Sequence, residues 1–123
     1  MQLIKVTQKY PNQSISFTAS RQNITLNLYW RGYQGLASIE QDYINYYAQP
    51  NFFADIFVGS SAIIEGQTVI NKQPINQYPS DFIGYIASID TSGNNENPSL
   101  TNLGVTVFLY YLDDLTQITG LIV

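Results

Sequence analysis

Apolar and polar residues alternate along much of the chain with the two-residue period of β-strands. Ile15 and Phe17 alternate with serine and threonine in residues 14–18. A longer run places apolar side chains at every second position: Ile24, Leu26, Leu28 and Trp30. Because successive side chains of a strand point to opposite faces, this spacing puts one apolar set on one face of a sheet. The pattern predicts two strands joined by a hairpin at residues 19–23.

The later apolar segments are also of strand length, and turn-forming residues separate them. They occupy residues 52–58, 62–65, 68–70, 82–89 and 105–112. Gly66-Gln67 predicts a tight turn, and Gly84 predicts a bulge or a close backbone approach. Residues 71–80 contain Pro74 and Pro79 and predict a connector. The chain is therefore expected to form a single all-β domain over residues 1–123, a sandwich or partly open barrel of short antiparallel strands.

Two segments allow more than one interpretation. Leu36, Ile39 and Tyr43 recur at three- and four-residue spacing, which allows one short helix around residues 36–48. An irregular tyrosine-rich loop is the alternative, and Pro50 ends the segment in either case. Residues 118–123 form a short apolar piece, interpreted as an added edge strand or as a tail that docks on a partner.

The composition argues against catalysis. The chain has no histidine and no cysteine, and only 11% of its residues are charged. Histidine is the usual acid–base catalyst, and histidine and cysteine are the main ligands of zinc. The nine acidic residues are dispersed, and the adjacent pair Asp113-Asp114 is expected in solvent. No catalytic residue, cofactor or metal site is predicted, and the chain is not expected to be an enzyme.

Asp55 is a carboxylate among apolar neighbours. We interpret it as a structural residue that organises a turn or a strand end. The alternative is a hydrolase with two carboxylates, in which Asp81 or Glu65 supplies the second acid. The polar loop at residues 90–98 superficially resembles a calcium loop. Its glycine and glutamate do not stand at the positions that an EF-hand requires, so no calcium site is predicted.

Charge and hydropathy limit the partners. The net charge is −4, and the five Lys and Arg residues are scattered, so no nucleic-acid partner is expected. No apolar run has the length of a signal peptide core or of a membrane span, which predicts a soluble protein without a membrane partner. Residues 105–112 lack the lysine or proline that guards a free edge. This last strand is therefore predicted to be central in its sheet or paired with a partner chain.

Tyr43, Tyr46 and Tyr47 are the candidate partner-contact residues. Tyrosine is enriched at protein interfaces because it combines a large rigid ring with a polar tip. A locally packed loop is the alternative interpretation. The many Asn, Gln, Ser and Thr residues also suit a contact surface, since they make hydrogen bonds without the desolvation cost of charges.

The order of the segments resembles the phage baseplate plug family of contractile-tailed phages. The matching motifs are Phe53-Ala54-Asp55-Ile56, Gly59, Ile64-Glu65-Gly66-Gln67, Phe82-Ile83-Gly84, Pro98, Leu103-Gly104-Val105 and Leu109-Tyr110-Tyr111. The resemblance covers about residues 14–112. Phe53 stands where the family often has tryptophan. Residues 41–50 have no counterpart and are interpreted as an insertion, and residues 118–123 as a C-terminal extension.

The resemblance implies a structural role and no chemistry. A member of this family is a virion protein of the tail baseplate, made in the host cytoplasm, and assembles with hub and tube proteins. The resemblance also allows a homo-oligomer within that assembly. The alternative is a carbohydrate- or receptor-binding β module of a phage tail, in which aromatic side chains from residues 43–53 stack on sugar rings.

Overall fold

A computed structural model describes residues 1–8, 10–31, 51–76, 84–114 and 116–117. These residues form two antiparallel sheets. The strands are β1 (Gln2–Ile4), β2 (Asn12–Ala19), β3 (Gln22–Arg31), β4 (Asn51–Val58), β5 (Ser61–Thr68), β6 (Tyr85–Asp90) and β7 (Val107–Leu112). The all-β prediction is confirmed, and the two sheets correspond to its sandwich form.

The larger sheet has the strand order β2-β3-β4-β5. The first hairpin turns at Ser20 and Arg21, whose φ angles are 50° and 61°. Two successive positive φ angles are characteristic of a type I′ turn, whose twist matches that of the flanking strands. The register, with Ala19 opposite Gln22, confirms the hairpin predicted at residues 19–23. β4 and β5 are joined at Gly59, which has a φ of 60°.

The predicted turn at Gly66-Gln67 is wrong. Residues 61–68 form one continuous strand, β5, which pairs with β4 through two shifts of register. Gly66 lies at the first shift and has a φ of 69°. A bulge and a tight turn both favour a glycine with positive φ, so the residue type alone does not distinguish them.

The smaller sheet has the order β1-β7-β6, which makes β7 its central strand. This confirms that the last apolar segment does not form a free edge. β1 was not predicted, because its three residues are too few to show alternation. β6 begins at Tyr85, directly after Gly84. Asn71 and Pro74 form isolated bridges to the edge of β6 that faces away from β7.

The core lies between the two sheets. The larger sheet contributes Ile24, Leu26, Leu28, Phe52, Ala54 and Ile56, and the smaller sheet Ile4, Ile86, Leu109 and Tyr111. Tyr111 is buried, whereas Tyr110 on the opposite face of β7 is half-buried, as expected for adjacent strand residues. The inner face of each sheet is therefore occupied by core packing. Ala87, Ile89 and Leu112 on the other face of the smaller sheet are also buried, whereas the outer face of the larger sheet is partly exposed.

Several predictions concern residues outside the described ranges. They are the helix around residues 36–48, the insertion at 41–50, the contacts of Tyr43, Tyr46 and Tyr47, and the extension at 118–123. These, like the single-domain boundaries, stay predictions.

Candidate assembly interface

Among the described residues, aromatic, charged and neutral polar side chains lie side by side on the outer face of the larger sheet. Its side chains are those that alternate with the core residues, and the strand register places them in rows. Tyr29 of β3 lies opposite Phe53 of β4, and Asn27 lies opposite Asp55. On the other side of β3, Thr25 lies opposite Ser16 of β2. The face therefore has an aromatic half over β3, β4 and β5 and a neutral polar half over β2 and β3.

The aromatic half is built from Tyr29, Phe53 and Arg31. The rings of Tyr29 and Phe53 stack with centroids 6.1 Å apart and planes inclined by 20°. The Arg31 guanidinium carbon lies 4.9 Å from the centroid of Tyr29 and 5.8 Å from that of Phe53. Such an arrangement combines ring stacking with cation–π attraction. Tyrosine and arginine are also the residue types that most often dominate binding energy at protein interfaces.

Asp55 fixes the position of Tyr29. The Tyr29 hydroxyl donates a hydrogen bond of 3.0 Å to Oδ1 of Asp55. The backbone N–H of Gly66 donates a second bond of 2.7 Å to the same oxygen. Asp55 thus joins β3 to the bulge of β5, so its carboxylate organises a bulge beside the middle of β4 instead of the expected turn or strand end. Burial raises the pKa of Tyr29 above its ordinary value of 10.0, and the hydrogen bond to Asp55 and the negative charge of Asp55 raise it further.

The neutral half consists of short hydroxyl and amide side chains. The hydroxyls of Ser16 and Thr25 are 3.1 Å apart, and Thr18 Oγ1 donates a bond of 3.4 Å to Asn23 Oδ1. The side chains of this half are those of Asn12, Ser14, Ser16, Thr18, Asn23, Thr25 and Asn27. None of these side chains is charged. A neutral surface of this kind can approach another protein without desolvating an ion.

One comparison with known proteins decides the family. The family model described as cyanophage baseplate Pam3 plug gp18 matches residues 1–114. The chain belongs to this family. It is a phage baseplate plug protein, a structural protein of the virion tail. The comparison with curated proteins gives no match.

The acidic residues of this plug protein do not form a catalytic pair among the described residues. Asp55 already accepts two hydrogen bonds through one oxygen, and Glu65 lies in the adjoining exposed bulge. Asp81, the other candidate acid, lies outside the described ranges. Within those ranges, acidic side chains do not gather into a group able to hold a metal ion. No described helix is long and apolar enough to cross a membrane.

The loop at residues 90–98 is organised by Asp90. Oδ1 accepts bonds from the backbone N–H and the hydroxyl of Ser92, at 2.8 and 2.6 Å. Oδ2 accepts a bond of 2.9 Å from the N–H of Glu96. These bonds, and first of all the one from the Ser92 hydroxyl, lower the pKa of Asp90 below its ordinary value of 3.8. The carboxylate therefore serves to fold the loop of the plug protein.

The sequence analysis did not identify Tyr29 and Arg31 as members of this aromatic cluster. Alternation identified residue 29 as an outer-face position, but alternation within one strand does not show which residue of the next strand lies opposite. Phe53 carried a family motif, and its ring partner became visible only with the register between β3 and β4. The signal that could have identified this cluster is an aromatic pair on neighbouring strands with an arginine beside it.

Proposed function

We propose that this plug protein is a non-catalytic assembly part that binds hub and tube proteins of the baseplate through the outer face of its larger sheet. Membership of the plug family carries the proposal. The stacked Tyr29 and Phe53 rings with Arg31 supply the contact chemistry. Asp55 holds the tyrosine in place, so little side-chain freedom is lost on binding. The chain is made in the host cytoplasm and incorporated into the virion tail.

Binding by the full-length chain to the hub and tube proteins encoded by the same phage tests this function. Phe53→Ala and Arg31→Ala are each expected to weaken binding about tenfold or more, as central interface anchors do. Arg31→Lys keeps the charge but loses the planar guanidinium, so we expect an intermediate loss. Tyr10→Ala is the matched control, because Tyr10 is an exposed aromatic residue outside the stacked cluster.

The outcome that contradicts the proposal is equally clear. Hub and tube proteins that bind the control and the cluster variants equally well would exclude this face as the interface. Immunogold labelling of purified virions tests the location separately, with label expected at the baseplate. Virions without the protein would exclude a structural role.

Carbohydrate binding is the second candidate. Phe53 is a half-exposed aromatic residue within the segment proposed for sugar stacking. However, Arg31 lies over both Tyr29 and Phe53, so it competes with a sugar for the ring faces. A glycan array with the wild-type protein and Phe53→Ala separates the two candidates: sugar binding that is lost in the variant supports this function. Lack of activity on peptidoglycan is expected and would exclude a cell-wall hydrolase.

A further inference from the structure

The two described sheets have four edge strands, and these edges differ in how they are protected against pairing with a further strand. β6 is covered by the segment at residues 71–76. The N–H of Ile75 donates to the carbonyl of Ile86, and that of Lys72 donates to the carbonyl of Ser88. The Asn76 side chain accepts a bond from Ile86 N–H and donates one to Gly84 O. This edge is therefore closed.

β5 is protected in a different way. Its two shifts of register relative to β4 break the regular spacing of backbone groups. Glu65 is exposed at the first shift, and Gly66 turns the backbone there with a φ of 69°. Bulges and charges are the devices by which natural sheets prevent edge-to-edge pairing. β1, the third edge, has only three residues.

β2 is the unprotected edge of the described sheets. It has eight residues in unbroken register with β3, without a charge, a proline or a bulge. The Trp30 N–H donates a hydrogen bond to Pro11 O, so residues 11 and 30 are a hydrogen-bonded pair of the β2–β3 ladder. Since hydrogen-bonded and non-hydrogen-bonded pairs alternate, the backbone groups of Asn12, Ser14, Ser16 and Thr18 point away from β3. No described strand pairs with them.

The sequence of β2 is suited to pairing with itself. In an antiparallel pair centred on Ile15, Ser14 meets Ser16 of the second copy, and Asn12 meets Thr18. Every residue with outward backbone groups then faces another such residue. Asn12, Ser14, Ser16 and Thr18 remain on the outer face, and Ile15 and Phe17 remain on the inner face. Gln13 also lies on the inner face, where its side chain bonds to the backbone of Thr7. Both apolar side chains are half-buried at the margin of the core, so an added strand would cover them further.

Electrostatic repulsion between two copies meets no additional charge at this edge. Each chain carries a net charge of −4, so two copies repel at most approaches. β2 has no charge to oppose its own image across a two-fold axis. We propose that a second copy of this chain pairs with β2 in antiparallel orientation, with Ile15 at the two-fold axis, and makes the larger sheet continuous across the dimer.

Cysteine cross-linking tests this register directly, because the natural chain has no cysteine. Ile15→Cys would place two thiols in a non-hydrogen-bonded pair at the axis, where Cβ atoms are about 4.5–5.5 Å apart and small adjustments allow a disulfide. We expect rapid disulfide dimers on mild oxidation. Thr25→Cys is the control, because its two copies would be about 14 Å or more apart, three strand spacings, and should not cross-link.

The wild-type chain is measured in parallel by analytical ultracentrifugation over a concentration series, with a dimer expected. Ser16→Pro removes an N–H that points away from β3, so the fold is kept while the dimer loses hydrogen bonds. We expect its dimer dissociation constant to rise about tenfold or more relative to Ser16→Ala, since losing about 1.4 kcal/mol is tenfold in affinity. Circular dichroism and urea unfolding check that the proline variant is folded.

Three results would overturn the proposal: a wild-type monomer at every concentration, equal cross-linking of the two cysteine variants, or an unchanged dissociation constant in a folded Ser16→Pro variant. The experiment uses the isolated chain without hub or tube proteins. Its outcome is therefore independent of the proposed baseplate contacts, and either idea can fail while the other stands.

Discussion

The ring of Tyr111 occupies the space that a side chain at Gly84 would need. A Cβ built at residue 84 would lie 2.5 Å from Cζ of Tyr111 and 2.6 Å from the backbone oxygen of Leu112. Tyr111 in turn shares a hydrogen bond of 2.7 Å with the hydroxyl of Ser20 in the first hairpin. One buried ring thus connects the larger sheet to the entry of β6, and glycine is required for that approach.

Gly84→Ala is expected to destabilise the protein by about 1–3 kcal/mol, because the added methyl group overpacks the site and one obstacle is backbone. The free energy of unfolding from urea denaturation measures the effect. Gly93→Ala measures backbone strain alone, because no atom lies within 4 Å of its added Cβ and its φ is 84°. Gly84 does not have a positive φ, so a Gly84→Ala variant as stable as the wild type would contradict the steric explanation.

Asp55→Ala removes the acceptor of the Tyr29 hydroxyl and of the Gly66 N–H. We expect a loss of about 1–3 kcal/mol in the free energy of unfolding, because two donors lose their partner at a partly buried site. Asp55→Asn keeps one oxygen acceptor and should lose less. Asp113→Ala serves as the control, since Asp113 is exposed and forms an exposed ion pair with the N-terminus. Equal losses at the two positions would contradict the assigned role.

Tyr29 gives the plug protein an alkaline pH dependence. Its pKa is raised above 10.0 by burial, then by the hydrogen bond to Asp55 and the charge of Asp55. The unfolded state therefore releases the tyrosine proton at a lower pH than the folded state does. The stability that Tyr29 contributes is complete below the unfolded pKa and declines as pH rises through the folded pKa.

Absorbance titration at 295 nm measures this ionisation. The difference between the wild type and Tyr29→Phe isolates residue 29 from the other nine of ten tyrosines. Its midpoint is expected above 10, and the midpoint is expected to fall in Asp55→Asn, because a negative charge has been removed. A difference titration centred at or below 10 would contradict the assignment.

Asp90 gives the opposite dependence in acid. The bonds from Ser92 and Glu96 lower its pKa, so the unfolded state takes up a proton at a higher pH than the folded state does. The contribution of Asp90 to stability is present above the unfolded pKa of about 3.8 and is lost as pH falls through the folded pKa. Urea unfolding between pH 6 and pH 2 should show a shallower acid decline in Asp90→Asn than in the wild type. Identical acid profiles would argue against this role.

The sequence was sufficient for elements whose pattern is local. Alternation of Ile24, Leu26 and Leu28 predicted β3 and its buried face. The absence of lysine and proline from residues 105–112 predicted a strand that is central or paired with a partner chain, and β7 is central in the smaller sheet. Local pattern did not distinguish a bulge from a turn at Gly66. It also missed β1, which is a strand only because β7 lies beside it.

The candidate interface was harder to predict because it depends on pairing between strands. Asp55 was identified as structural from its apolar neighbours, but its partners Tyr29 and Gly66 are 26 and 11 residues away in the chain. The position of Arg31 over two aromatic rings can be recognised only when Phe53 is placed across from Tyr29. Residue spacing within one strand contains no information on that register, which the hairpins and bulges set.

The bulged strand β5 also determines the valency of the larger sheet. A sheet with two open edges behaves as a bifunctional monomer, and successive additions propagate into a fibre. The larger sheet has one regular edge, and at the other the irregular backbone of β5 offers no template for another strand. The sheet is monofunctional in the sense of polymer chemistry: once two copies have joined at their regular edges, neither has a regular edge left for a third copy. The described part of the larger sheet therefore has no second regular edge through which copies of this charge-poor β protein could polymerise.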